Sequence, residues 1–151
     1  MKLHQAELSV PTEGRSFVEV SGLLEAEIRR AAAARGVVHA LLRHTSASLI
    51  LSENADPTVR ADLERYFSRL VVDGDPLFRH VAEGPDDMPA HVRTVLTQNH
   101  VTLPIQDGNL RLGTWQGLFL WEHRAHGSLR QLHLSILSDD GPFQRPGFRA
   151  S

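Results

Sequence analysis

The chain has 151 residues, a length typical of one domain rather than two. It contains no cysteine, which excludes disulfides, thiolate nucleophiles, cysteine-ligated zinc and iron–sulfur clusters. The formal net charge is −2 and Lys2 is the single lysine among 16 basic residues, so neither a Schiff-base lysine nor a basic nucleic-acid-binding surface is expected. Because no apolar run is long enough to cross a membrane and no signal-peptide core is visible, we expect a cytoplasmic protein that binds neither membranes nor nucleic acid.

The first half of the chain predicts one helix among several strands. Residues 21–35 have helical periodicity, with Ser21 as a candidate N-cap and Gly36 as a stop signal. Beyond the helix, strand alternation places His44 on the same face as Val38. The strands of this half are expected at 3–10, 16–20, 37–44 and 47–51.

A second helix is expected from Asp56, the candidate N-cap, to about residue 70, with Pro57 in its first turn. Asp62 lies at the edge of its apolar stripe, where a carboxylate needs either an arginine partner or a catalytic or metal-binding role. The stripe, which is expected to face the core, consists of Val59, Leu63, Tyr66, Phe67 and Leu70.

A third helix is expected from 87 to 98, with His91 on the same face as Met88 and Val95. Strands and helices mix without strict βαβ alternation, which favours an α+β fold with a mostly antiparallel sheet. We therefore expect one compact domain at 1–137 and a poorly ordered tail at 138–151. The last strands are expected at 100–105, 117–123 and 129–137, the final two joined as a hairpin.

Without cysteine, a catalytic site in this chain must use histidines, carboxylates, hydroxyls and arginines, or a metal that they bind. His44 ends a predicted strand and is followed by the hydroxyls of Thr45 and Ser46, a pattern that suits a phosphate or a metal but also a capped turn.

Two further groups carry histidines or carboxylates. His80 and His91 enclose an acidic segment, a composition that indicates either a divalent metal site or a solvated loop. Glu122 shares a predicted strand face with Gln116 and with apolar residues, which makes it a candidate base or metal ligand. Residues alone therefore predict a His/carboxylate/hydroxyl site and no particular substrate.

The order of these segments resembles the YjbQ family, which is assigned a secondary thiamine-phosphate synthase activity, over residues 3–137. The blocks that carry the resemblance are His44-Thr45-Ser46-Ala47-Ser48-Leu49, Glu53-Asn54-Ala55-Asp56-Pro57-Thr58-Val59 with Asp62, Glu83-Gly84, Asp86-Asp87-Met88-Pro89-Ala90-His91, Gly113-Thr114-Trp115-Gln116-Gly117 and Glu122-His123-Arg124-Ala125-His126-Gly127.

The resemblance implies a homotrimer and an enzyme that joins a pyrimidine-methyl diphosphate to a thiazole phosphate and releases pyrophosphate. A divalent ion, zinc or magnesium, and a small phosphorylated substrate are expected with that activity. Catalytic roles are expected for Asp62, Glu122 and Ser46. Substrate binding is expected for Thr45, Ser46, Gln116 and Arg124. Metal binding is expected for His44, His91 and His80. The resemblance also implies that Asp62, Asp87 and Glu122 hold the ion or orient its waters.

Two other functions are compatible with the same residues. The first is a metal-dependent hydrolase of a small phosphorylated or carbonyl substrate, with Asp62 as its general base. The second is a trimeric module that binds a metal or a small ligand without turnover. All three functions require the segments around residues 44, 62, 91 and 122 to meet in one pocket.

Overall fold

The strands of the protein pair only with antiparallel neighbours in the part that the computed structural model describes, residues 1–139. An α+β domain with a mostly antiparallel sheet is therefore confirmed. The elements are β1 (Lys2–Pro11), β2 (Phe17–Glu19), α1 (Ser21–Arg30), β3 (Arg35–Leu42), β4 (Ala47–Glu53), α2 (Pro57–Leu70), α3 (Asp87–Leu96), β5 (His100–Gln106), β6 (Asn109–Leu110), β7 (Gln116–Glu122) and β8 (Leu129–Ser138).

The strands form a five-stranded sheet in the order β1-β8-β3-β5-β6 and a three-stranded sheet in the order β2-β7-β4. In the larger sheet, every second side chain of a strand points into the core. Val38 of β3 lies opposite Ile136 of β8 on one side and Leu103 of β5 on the other. These residues join Leu24 of α1 and Leu120 of β7 in one buried core. A single hydrophobic core thus holds both sheets and α1 together.

The first helix is shorter than the predicted 21–35. It ends at Arg30, and Ala32 adopts a positive φ of 50° before β3 begins. The alanines after Arg30 favour a helix, but Arg35 and Gly36 pair in the sheet with β5, and that tertiary pairing overrides local propensity. Ser21 opens the helix without capping it, because its hydroxyl instead accepts the Leu118 N–H at 2.9 Å.

The predicted hairpin between the last two strands is wrong. The strand β7 pairs with β2 and β4, whereas β8 pairs with β1 and β3, so the two strands belong to different sheets. The loop between them therefore crosses from one sheet to the other. The strand β8 also includes Ser138, one residue into the expected tail, and residues 140–151 lie outside the described part of the chain.

The second helix begins as predicted, with the Asp56 carboxylate accepting the Thr58 N–H at 2.8 Å. Its apolar stripe is not buried as expected: Tyr66 is 65% exposed and Leu70 is 55% exposed. The helix is attached through Phe67, whose ring packs edge-on against Trp121, and through Glu64, which accepts hydrogen bonds from Arg93 and from the Trp121 indole, both at 2.8 Å.

The third helix also turns a different face inward from the one predicted. Val95, on the predicted face, is 84% exposed, whereas Asp87, Ala90 and Arg93 are buried. The buried charges explain the rotation, because Arg93 pairs with Glu64 and Asp87 has partners of its own, described below. None of the helices within residues 1–139 has the length and apolar content needed to span a membrane.

Candidate functional site

Three side chains around the start of α3 offer metal-ligating atoms to one another. Asp87 Oδ2 lies 2.8 Å from His80 Nε2 and 3.4 Å from His91 Nε2. All three ligand-type atoms lie within 4.8 Å of one another. Ligand atoms around a tetrahedral zinc ion are separated by roughly 3.4 Å, given bonds of about 2.1 Å. The spacing of this group, which we call the HDH group, therefore suits a divalent ion.

The tautomer of His91 is fixed by the strand connection opposite it. His91 Nδ1 lies 2.9 Å from the carbonyl oxygen of Thr45, which can only accept a hydrogen bond. The hydrogen of the neutral ring is therefore on Nδ1, and the lone pair is on Nε2, which faces Asp87. A backbone carbonyl that holds one ring nitrogen in this way is the usual support for a metal-ligating histidine.

Arg124 connects the HDH group to the loop that follows β7. Its guanidinium contacts Asp87 Oδ1 at 2.5 Å and Asp86 Oδ2 at 3.0 Å, and Nη2 donates to the Glu83 carbonyl at 2.9 Å. Burial raises the pKa of Asp86, but hydrogen bonds from the Ala125 N–H and from Arg124 outweigh it and hold the pKa below its usual value. The hydrogen bond to Asp86 raises the pKa of Arg124, so this pair stays ionised.

Glu122, at the end of β7, is fully buried and paired with Arg130. Its Oε2 accepts from Arg130 Nε and from the Thr12 hydroxyl, both at 2.7 Å, while Oε1 accepts from Arg130 Nη2 at 2.5 Å and from the Arg124 N–H at 3.0 Å. Burial raises the pKa of Glu122, but these donors outweigh burial and lower it. An ionised carboxylate with four donors is a structural anchor rather than a free base.

His44 does not belong to the HDH group, contrary to the expectation that it binds the metal. Its Nε2 accepts the Gln131 N–H at 2.8 Å, and its Nδ1 lies 3.3 Å from Arg130 Nη1. Burial and then the Arg130 charge lower the pKa of His44 and keep the ring neutral. Neither nitrogen is free to bind an ion, and Asp87 takes the place that sequence reasoning gave to His44.

The expected pocket around residues 44, 62, 91 and 122 forms only in part. His44 and Glu122 meet through Arg130, and the Thr45 carbonyl reaches His91. Asp62 is exposed on α2 and pairs with Arg65, so the arginine alternative is the one observed, and it contacts neither the HDH group nor Glu122 among the described residues.

The expected substrate-binding residues separate in the same way. Gln116 opens β7, six residues from Glu122 and therefore about 20 Å along the strand, where it accepts the Gly113 N–H. Ser46 is buried and accepts from Arg130 Nη2 at 3.1 Å, so it stays near the site. Thr45 is exposed and contributes its carbonyl.

Two further residues are central to the site: Asp87, which the family resemblance implies, and Arg130, which the sequence analysis did not place there. Asp87 precedes His91 by four residues in α3, a spacing that puts both side chains on one helix face and was visible in the sequence. Arg130 alternates inward with Leu132 and Leu134 in β8, and a charge on a core-facing position requires a buried partner. That partner is Glu122.

Taken together, the fold and the site define a small α+β protein with a candidate divalent-metal group beside two carboxylate-bound arginines. The family model described as "UPF0047 protein YjbQ-like" matches residues 6–139. The chain belongs to this family, which confirms the resemblance found in its motifs.

Individual relatives agree with the family match. The UPF0047 protein sll1880 of Synechocystis is 44% identical over 133 residues, which cover 88% of this chain and 90% of the relative. The UPF0047 protein YjbQ of Salmonella typhimurium is 52% identical over 97 residues, 64% of this chain and 70% of the relative. The solved structure of the conserved hypothetical protein TT1486 from Thermus thermophilus has a TM-score of 0.80 at 34% identity and covers 87% of this chain and 99% of that one.

Proposed function

We propose that this protein is a divalent-metal-dependent enzyme that acts on small phosphorylated substrates, with the HDH group as its metal centre. The observation that carries the proposal is the convergence of two imidazoles and one carboxylate within 4.8 Å. The donor set suits zinc and related ions, and three protein ligands leave positions open for a substrate, as catalytic sites require. Bound there, the ion supplies Lewis acidity toward phosphate oxygens.

Among phosphorylated substrates, the site favours transfer chemistry over hydrolysis. The hydrolase alternative assigned the general base to Asp62, which lies on the exposed side of α2. Glu122 is held by Arg130 and is equally unsuited to take a proton from a substrate. A thiamine-phosphate synthase-like reaction places its main demand on charge stabilisation at a leaving diphosphate, which arginine and hydroxyl donors supply. We therefore propose this transferase activity, with Ser46 and Arg124 near the phosphates.

The metal centre is tested first by binding. Wild-type protein is expected to take up one zinc ion per chain in calorimetry and elemental analysis. Asp87→Asn and His91→Gln are expected to weaken zinc binding at least about tenfold, because each removes a ligand atom. Asp107→Asn and His133→Gln change the same residue types outside the group and are expected to bind zinc as the wild type does. Equal zinc affinity in Asp87→Asn and in wild type would contradict the proposed centre.

The reaction is tested with the metal-loaded protein, both thiamine precursors and magnesium. Thiamine phosphate and pyrophosphate are expected from wild type and not from Asp87→Asn. Release of inorganic phosphate from one precursor alone would instead identify the hydrolase, and absence of any product would leave the binding module as the function.

We further propose that the chain assembles as a homotrimer, as its family resemblance implies. The apolar side chains exposed on the single chain support association, since Tyr66 and Leu70 on α2 lie in the open together with Leu3, Val37 and Leu137 on the outer side of the large sheet. Light scattering of the full chain is expected to give three times the mass of the monomer. A monomeric mass at micromolar concentration would refute the assembly.

A further inference from the structure

A small polar pocket lies beside Arg124, next to the HDH group. Its volume is about 220 Å³. Arg124 belongs to both places, because it lines the pocket and also contacts Asp87 of the HDH group. The pocket is lined by Ser46, Arg124, His126, Gly127, Ser128 and Arg130.

The lining of this pocket offers hydrogen-bond donors that are not already used. The Ser46 oxygen accepts from Arg130, which leaves the Ser46 hydroxyl hydrogen free to donate. Within residues 1–139, the Ser128 hydroxyl and the His126 ring have no hydrogen-bond partner at all. Hydroxyls, an imidazole and guanidinium edges are the donors that bind phosphate oxygens.

The wall formed by Gly127 and Ser128 is fixed before any ligand arrives. Thr12 and Ser128 exchange hydrogen bonds, with the Thr12 N–H donating to the Ser128 carbonyl and the Ser128 N–H donating to the Thr12 hydroxyl, both at 2.9 Å. A Cβ on Gly127 would collide with the Thr12 carbonyl, so the two segments are in direct backbone contact. Because these contacts already hold the segment in place, its backbone loses little conformational entropy when an anion binds.

The charge around the pocket is unfavourable for an anion as long as the HDH group holds no cation. Arg124 and Arg130 are outnumbered by four carboxylates, which are Glu83, Asp86, Asp87 and Glu122. The cluster therefore carries two more negative than positive charges, and one divalent cation on Asp87 balances them. The two oxygens of Asp87 face opposite ways, with Oδ2 toward the histidines and Oδ1 toward Arg124, so this carboxylate links the cation position to the guanidinium.

We propose that this pocket is the subsite for a phosphate group of the substrate and that it fills only after a divalent cation has bound the HDH group. The inference rests on the proposed metal centre and adds a location and an order of binding. The affinity of the pocket for phosphate and the affinity of the HDH group for the cation are then coupled through Asp87 and Arg124. Such coupling is reciprocal, so phosphate raises the cation affinity by the same factor.

The test is calorimetric titration of inorganic phosphate into the full chain. One sample is free of metal, and the other has been loaded with one equivalent of zinc and separated from excess ion. Phosphate is expected to bind the zinc-loaded protein at least about tenfold more tightly, in the range usual for coupled sites. In the reverse titration, zinc affinity is expected to rise by the same factor in phosphate buffer.

Substitutions of the lining residues test whether the phosphate binds in this pocket. Ser128→Ala and His126→Ala are each expected to weaken phosphate binding about two- to tenfold, the usual effect of losing one hydrogen bond, and to leave zinc affinity in phosphate-free buffer unchanged. Ser52→Ala, on β4 away from the pocket, is expected to bind phosphate as wild type does.

The outcomes separate the subsite from the metal centre. If zinc binds but phosphate affinity is the same with and without it, or is unaffected in Ser128→Ala, the subsite is refuted and the metal centre stands. If zinc does not bind, the proposed function fails, and phosphate binding to the metal-free protein refutes the ordered binding as well.

Discussion

Glu122→Ala is expected to lower the free energy of unfolding by about 3–5 kcal/mol, the usual cost of removing one partner of a buried ion pair. The variant leaves the Arg130 guanidinium buried without its two-point carboxylate partner and removes the nearer of the two acceptors of the Thr12 hydroxyl. Equilibrium unfolding in urea at neutral pH measures the change.

The matched control is Glu7→Ala. Glu7 is an exposed carboxylate that also pairs with an arginine, Arg43, and its loss is expected to leave the free energy of unfolding close to that of wild type, because solvent screens exposed pairs. The double variant Glu122→Leu/Arg130→Met removes both buried charges and is expected to regain most of the lost stability. If the free energy of unfolding of Glu122→Ala lies within about 1 kcal/mol of that of wild type, the buried pair does not stabilise the fold as described above.

The second large effect concerns His123 and pH. His123 is fully buried, its Nε2 lies 2.7 Å from the Ser48 hydroxyl, and its Nδ1 has no hydrogen-bond partner among the described residues. Burial, followed by the charges of Arg93 and Arg130, lowers its pKa from 6.5 to about 3. His123 is therefore protonated below about pH 6.5 in the unfolded chain, whereas in the folded protein it is protonated only when the pH falls to about 3.

Because the unfolded chain binds this proton at a higher pH than the folded protein does, acidification destabilises the fold. The full stability is present above pH 6.5 and is lost as the pH falls toward 3, by up to about 1.4 kcal/mol per pH unit from this residue. Unfolding free energies between pH 7.5 and 4.5 are expected to fall less steeply in His123→Gln, which keeps a donor for Ser48. His100→Gln, at an exposed histidine whose hydrogen-bond partner among the described residues is Asn99 rather than a carboxylate, is the matched control. Parallel curves for wild type and His123→Gln would show that the buried ring is protonated in the folded protein.

Much of the fold could be predicted from the sequence because several strands, β3, β5 and β8 among them, alternate between buried and more exposed positions. Val38, Ala40 and Leu42, which alternation places on one face of β3, are all buried, and the Asp56-Pro57 signal marks the start of α2 correctly. These features depend on neighbours within a few residues along the chain. The end of α1 and the separation of β7 from β8 depend on which distant strands pair, and local patterns carry no such information.

In the candidate site, too, features set by neighbouring residues could be predicted, and features set by distant strand pairing could not. His80 and His91 could be recognised as ligand candidates because they flank an acidic segment, and the structure brings both to Asp87. Asp62 was misplaced because its significance rested on a fully buried stripe of α2, whereas Tyr66 and Leu70 of that stripe are exposed on the single chain and Asp62 itself pairs with Arg65 at the surface. The roles of Arg130 and His44 depend on pairing across about 86 residues of sequence, which only the folded chain defines.

The dipeptide Thr45-Ser46, in the connection between β3 and β4, ties the two halves of the site to one another. Its carbonyl at Thr45 orients the imidazole of His91, while the carbonyl and hydroxyl of Ser46 receive the guanidinium of Arg130. A shift of this short peptide by a fraction of an ångström displaces both side chains at once. The proposed metal centre and the proposed phosphate pocket therefore have this dipeptide in common, in addition to the contact between Asp87 and Arg124.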